Sequence, residues 1–401
     1  MASQTSKKKS NSKSNKKTNL VFPKVKTLIF LIFCLALATG FFFSEIIEKF
    51  VNFSFFENNI SASISDDGLK VHFIDVGQAD AIAIEFPNGK HMLIDAGESK
   101  TTTQMNNYLT STVFTNGEEK VFDYFLLTHS DADHSGGAKF VFENYVVNKI
   151  FRPKIYTEQE VTQQSLTNVA VHNTNTYKNF VSYANAEIDE NGSSSEIVFS
   201  TVNIDFNEGG ARVLFLGPIK DFYGATKYNE YSPIVLVEYE EKRILLTGDA
   251  TIENELEIID VLGEYCYDVD VLKVGHHGSS SSTSEEFLDA FKPEVAIISV
   301  GPKSEYGHPS DTILDRLNEN GINDSNIYTT FVNGTIVVGV YRNEISEVVI
   351  GIVCGYTNEQ PWISFWQIYV LTIVVAFGFM FSSEIKQYNT IYKKVKRKLS
   401  K

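Results

Sequence analysis

Hydrophobic positions along the chain fall into distinct patterns, and each predicts a different kind of element. Two uncharged apolar runs lie near the ends, at 27–44 (TLIFLIFCLALATGFFFS) and 361–383. At 1.5 Å per residue each is long enough to cross a hydrocarbon layer of about 30 Å, and both are expected to be transmembrane helices. Trp362, Trp366 and Tyr369 stand near one end of the second run, where interfacial anchors belong. A cleaved export signal is the competing reading of the first run, because Ala36-Leu37-Ala38 resembles a cleavage site. Residues 45–68 are polar and rich in Asn and Ser, as suits a linker.

From Leu69 the pattern changes to short β-type runs, Leu69 to Val76, Ala81 to Phe86 and His91 to Asp95, with Pro87-Asn88-Gly89 as a hairpin turn. Further strand-like runs cover Tyr124 to Thr128, Ile234 to Tyr239, Arg243 to Thr247, Val269 to Val274 and Val295 to Val300. They alternate with helical stretches, Glu253 to Leu262, Glu285 to Phe291 and Asp311 to Asn320, each starting near a Ser, Thr or Asp able to cap it. The alternation predicts a mixed α/β domain over 69–350, followed by a linker at 351–360. Residues 157–200, rich in Asn, Thr and Ser, are expected to form a helix plus an exposed loop inserted beside the rest, with no legible chemical motif.

Charge changes this picture by giving it an orientation. The whole chain has 401 residues and a formal charge of -15. The tail 1–26 is basic and free of acids, and 384–401 carries a net +6, so the region between them is strongly acidic. Lysine-rich flanks on both spans place both tails in the cytoplasm and the domain outside the membrane. With 43% hydrophobic residues the chain has enough apolar material for a packed core, which excludes a mostly disordered or fibrous protein. A cysteine framework is also excluded, since only three cysteines occur.

The densest chemistry follows the strand-like run at Leu126-Leu127-Thr128. His129, Asp131, Asp133 and His134 fall within six residues and are followed by Gly136-Gly137. Nitrogen and oxygen donors at this density suit divalent metal ions. Two more apolar runs end the same way, Leu245-Leu246-Thr247-Gly248 in Asp249, and Leu272-Lys273-Val274-Gly275 in the pair His276-His277. Three strands that each deliver donors at their carboxyl ends are hard to explain as helix caps.

In order and combination these segments resemble the metallo-β-lactamase superfamily, and within it the hydrolase domain that ends DNA-uptake proteins of the ComEC type. The resemblance runs from about Lys70 to Tyr341. It also takes in Val71 to Asp80, Leu93-Ile94-Asp95-Ala96-Gly97 and Tyr306-Gly307-His308-Pro309. It implies an αββα sandwich flanked here by one transmembrane helix on each side, and two divalent ions, zinc or manganese. His129, Asp131, Asp133 and His134 would be metal ligands, Asp249 the bridging carboxylate, and one of His276 and His277 the last histidine ligand. Asp95 matches a structural aspartate behind the site. Asp133 would orient the attacking water, while the spare histidine of the pair and His308 would serve the leaving group. Asp131 stands where the wider superfamily has histidine. A middle histidine is missing as well, at Asn229-Glu230-Tyr231-Ser232. More carboxylate and less imidazole makes manganese a competitor to zinc.

The leading expectation is therefore a membrane-anchored, extracytoplasmic phosphodiesterase acting on extracellular nucleic acid. The acidic domain opposes a polyanion at long range, although Lys273, Lys303 and Arg316 are local bases able to grip one phosphate. Two alternatives stand beside it: an esterase for phosphodiesters of cell-wall or membrane polymers, such as phosphorylcholine, and a non-catalytic domain that binds a surface partner.

Overall fold

The computed structural model describes residues 68–115, 120–302, 306–342 and 347–356. Both apolar runs near the ends, and the tails beyond them, lie outside the described residues. Among the described residues no helix is long and apolar enough to cross a membrane.

Two sheets form the centre of the domain. The first has eight strands in the order Val348–Tyr356, Thr335–Arg342, Leu69–Phe73, Ile82–Glu85, His91–Ile94, Val121–Leu126, Val146–Arg152 and Glu196–Phe199. The second has seven, in the order Ile327–Thr329, Val295–Ile298, Val271–Lys273, Lys242–Leu246, Val235–Tyr239, Ala211–Phe215 and Asp205–Glu208. Successive side chains of a strand point to opposite faces, and the sequence uses this to build three apolar layers. In Val121–Leu126, Leu126 faces the second sheet, while Phe125 faces the helices Thr102–Tyr108, Ala138–Asn144 and Asn175–Ala184. In Lys242–Leu246, Ile244 and Leu246 face the first sheet, and Leu245 faces the helices Ile252–Leu262, Glu285–Phe291 and Asp311–Glu319. Each such side chain, fully buried, contributes roughly 1.5–3 kcal/mol. The result is the expected layering of helix, sheet, sheet and helix.

The local signals that predicted the helices are in place. Ser284 accepts from the Phe287 N–H and Ser310 from the Ile313 N–H, each satisfying a donor that the first turn leaves open. The strand from Leu69 ends at Phe73, earlier than its apolar run, where the Asp75 N–H donates to the Thr335 hydroxyl instead of a strand carbonyl and Gly77 takes φ +76° to close a loop. Strand Val348–Tyr356 carries the first sheet through the first half of the segment read as a linker.

Residues 157–200 depart most from expectation. They form an ordered arm with two helices, Glu158–Gln164 and Asn175–Ala184, and an edge strand, Glu196–Phe199. Tyr177 and Phe180 are fully buried in it, and Arg152 pairs with Glu160 at 2.8 Å while donating to Ile155 O and to the Tyr177 hydroxyl. A composition rich in Asn, Thr and Ser hid these few apolar anchors.

The two glycines after His134 have a steric reason. A Cβ on Gly137 would stand 2.1 Å from Ala96 O, and one on Gly136 would stand 2.4 Å from Ala132 O. The close approach lets the Gly137 N–H reach Gly97 O at 2.9 Å and the Ala96 N–H reach His134 O at 2.9 Å, stapling the Asp95 loop to the donor loop. Gly137→Ala should lower unfolding stability by about 1–3 kcal/mol in urea denaturation; an unchanged midpoint would refute this account of the contact.

Candidate metal centre

Three strands end at one place. Val121–Leu126 runs into His129 to His134, Lys242–Leu246 into Asp249, and Val271–Lys273 into His276 and His277. The structure brings His129, Asp133, His134, Asp249 and His277 together. Asp249 Oδ1 lies 3.3 Å from His134 Nε2, and its Oδ2 lies 3.9 Å from His129 Nε2 and 3.7 Å from His277 Nε2. Asp133 Oδ2 is 3.4 Å from His277 Nε2 and 4.0 Å from His134 Nε2. Asp131, 40% exposed, approaches His129 Nε2 at 3.7 Å from the open side.

The histidines are set up in one manner. His134 Nδ1 donates to Asp95 Oδ2 at 2.7 Å, and the same carboxylate accepts from the Thr128 N–H and hydroxyl, each at 2.8 Å. His277 Nδ1 donates to Ser299 O at 2.8 Å. His129 Nδ1 lies 3.1 Å from Thr128 Oγ1 and 3.4 Å from Ser232 Oγ. In each ring Nδ1 is engaged, which leaves Nε2 aimed at the cluster. The Nε2 atoms of His129, His134 and His277, together with Asp249 Oδ1, are buried without a hydrogen-bond partner. Buried polar atoms normally find partners, and histidines that hold metals hold them with one nitrogen while the other donates to a carboxylate or carbonyl. The donors present therefore fit divalent ions. His277 has this arrangement. His276 does not: its Nε2 faces Asp249 Oδ2 at 3.6 Å and Asn229 Nδ2 at 3.4 Å, and its Nδ1 lies 3.2 Å from the Ser281 hydroxyl. Both rings are presented by consecutive residues at φ near +50°, a conformation non-glycine residues seldom adopt. His308 lies at the rim, its ring 5.8 Å from that of His276.

Electrostatics point the same way. Burial by itself would raise the Asp249 carboxyl, but His134 and His277 hold it well below the usual carboxylate range. Burial would lower His134, yet Asp249, Asp95 and Asp133 raise it well above the ordinary imidazole value. Without a metal these carboxylates favour a proton on His134; a divalent ion bound there would displace it.

Sequence reasoning assigned no role here to Asp80, which is 1% exposed and belongs to a group of mutually close donors with His134, Asp249 and His277. Its partner corrects a second expectation. Lys273 is not a surface base: it is fully buried, with Nζ 2.6 Å from Asp80 Oδ2, 3.0 Å from Gly248 O and 3.3 Å from Val274 O. Arg316 is likewise committed, donating to Ser282 O and Thr283 O, and Lys303 lies outside the described residues. His172 was also missed. It comes from the 157–200 arm and places Nδ1 2.6 Å from the Ser130 hydroxyl. A lone histidine among Asn and Thr gave no local signal.

Comparison with known proteins agrees with this architecture. Residues 74–301 match the family described as the metallo-beta-lactamase superfamily. Recombination protein 2 of Haemophilus influenzae is 30% identical over 295 residues, covering 73% of this chain and 31% of that protein. ComE operon protein 3 of Bacillus subtilis is 28% identical over 298 residues, covering 70% of this chain and 34% of that protein. The chain thus spans about a third of the length of these curated relatives. Among solved structures, the metallo-beta-lactamase fold protein YhfI from Bacillus subtilis aligns at a TM-score of 0.39 and 10% identity, over 71% of this chain and 99% of that one, a likeness too remote to carry argument. With the family matched over more than half its length, and with the donor cluster where its strands end, the chain belongs to the metallo-β-lactamase superfamily, and its curated relatives include ComEC-type competence proteins.

Proposed function

We propose that this domain is a metal-dependent phosphodiesterase that binds two divalent ions and acts on extracellular nucleic acid, held at the membrane by the apolar runs 27–44 and 361–383 with both tails in the cytoplasm. The observation that carries the catalytic part is the convergence of three buried, unpartnered Nε2 atoms on the carboxylate of Asp249. His129, Asp131 and Asp249 would hold one ion, and Asp133, His134, His277 and Asp249 the other. Two bound ions bring the pKa of water towards neutrality and neutralise charge on phosphoryl oxygens.

The chain's own residues do the rest. Asp133, partly exposed, would orient the attacking water, and Asp249 would keep the two halves of the site in register. His276 and His308, on the open side, would donate to the oxygen that leaves. Carboxylates at Asp131 and Asp133 favour manganese beside zinc.

A second reading is favoured by one observation. Lys273 and Arg316 are tied up inside the protein, so the acidic domain offers neither of them to a polyanion. A phosphodiester with a cationic leaving group, such as a phosphorylcholine ester, suits that surface. The full chain in detergent should contain two ions, measured by elemental analysis, and should hydrolyse single-stranded DNA when loaded with manganese or zinc. Hydrolysis of the phosphorylcholine ester alone would select the second reading. Two ions with no phosphodiester hydrolysed would leave a surface-binding domain.

A further inference from the structure

The 157–200 arm brings one imidazole to the metal centre and holds it rigidly. His172 follows the short strand Ala170–Val171, which pairs in parallel with Ile155–Tyr156, and the His172 N–H donates to Tyr156 O at 2.9 Å. Its ring lies over Tyr228, with centroids 4.1 Å apart and planes 12° apart, and faces Tyr177 at 5.9 Å and 21°. Both neighbours are themselves fixed. The Tyr228 hydroxyl donates to Val171 O, and the Tyr177 hydroxyl donates to Ile155 O while accepting from Arg152. Between these rings the imidazole has little freedom to turn, and its side chain is only 14% exposed.

What it touches is the turn that carries the donors. Nδ1 lies 2.6 Å from Ser130 Oγ and 3.9 Å from Asp131 Oδ1. Ser130 is fully buried between His129 and Asp131. The downstream side of this turn is already secured, since the Ser135 N–H and hydroxyl both donate to Asp131 O and the hydroxyl also reaches Ser130 O at 3.2 Å. On the upstream side, the His172 contact holds the Ser130 side chain. Asp131 is the more exposed of the cluster's carboxylates, so it has the most freedom to lose on binding an ion, and a fixed turn reduces that cost.

We propose that His172 is a positioning residue of the metal centre, acting through Ser130 to hold His129 and Asp131 in the conformation that receives a divalent ion. The proposal rests on the reading of the cluster as a metal centre and extends that centre to the arm. Partners that support ligands in this way change metal affinity by about 10 to 100-fold.

The test is calorimetric titration of the full chain with manganese, for the wild type, His172→Phe, Ser130→Ala and the double variant, with unfolding of each followed in EDTA. His172→Phe keeps an aromatic ring against Tyr228 and removes both ring nitrogens. It should weaken one of two manganese sites by about 10 to 100-fold, leave the other unchanged, and leave the EDTA unfolding midpoint where it was. Ser130→Ala should do the same, and the double variant should be no weaker than either single one, because both remove the same bond. His172→Asn, whose amide lies near the position of Nδ1, should restore part of the loss. Two sites of wild-type affinity in His172→Phe would overturn the proposal, as would penalties that add in the double variant. A large fall in the EDTA midpoint would make His172 a packing residue and overturn it too. A wild-type chain that binds neither manganese nor zinc would instead overturn the metal reading itself.

Discussion

Asp249→Asn is expected to abolish hydrolysis and to release at least one of the two ions, while the chain keeps its fold. Asp249 is 2% exposed, and its two oxygens face the Nε2 atoms of His129, His134 and His277 at 3.3 to 3.9 Å. Among the described residues it is the one carboxylate within 4.0 Å of the Nε2 atoms of all three rings. The amide keeps the size of the side chain but removes the charge, and it turns an NH₂ group towards nitrogens that need a cation. Because residues that merely support a ligand cost about 10 to 100-fold, loss of a group shared by both ions should exceed a hundredfold in kcat/KM. Asp133→Asn should approach the same loss with more metal retained, since Asp133 comes within 4.0 Å of the Nε2 atoms of His134 and His277 alone and lies partly open to solvent. The rates should be measured with manganese and zinc in turn, beside circular dichroism. An Asp249→Asn chain that retained both ions and more than a tenth of the wild-type rate would refute the assignment.

The second large effect concerns stability. Lys273→Met is expected to destabilise the domain by about 3–5 kcal/mol, because removing one member of a buried ion pair strands the other. Asp80 would be left 1% exposed, with a charge that the ammonium had matched at 2.6 Å. Burial pushes the Asp80 carboxyl up, and Lys273, then His277 and His134, hold it below its ordinary value. The ammonium also ties Gly248 O to Val274 O, the carbonyls next to the loops that bear Asp249 and His276-His277. In EDTA, where metal loss cannot contribute, the midpoint should fall by roughly 6–20 °C for a domain of this size. Replacing both partners, Lys273→Met with Asp80→Asn, should recover most of the loss because no unmatched charge remains. A double variant no more stable than Lys273→Met would show that the lysine acts by packing rather than by charge.

What the sequence determined is whatever depends on neighbours along the chain. Short apolar runs such as Tyr124 to Thr128 and Arg243 to Thr247 specify strands, and Ser284 and Ser310 specify helix starts. The spacing of His129, Asp131, Asp133 and His134 specifies a donor loop, since donors within six residues must share one turn. The apolar runs at 27–44 and 361–383 are legible in the same way, though they lie outside the described residues. Tertiary structure alone decided the pairings between distant segments. Ser299, far along the chain, orients His277 rather than His276; Lys273 pairs with Asp80 instead of facing solvent; and an arm that reads as a helix plus an exposed loop brings His172 to Ser130. The reason is physical. Propensity and capping act over a turn or two of chain, whereas the orientation of an imidazole, the burial of a charge and the partner of a hydroxyl depend on groups that meet only when both sheets have packed.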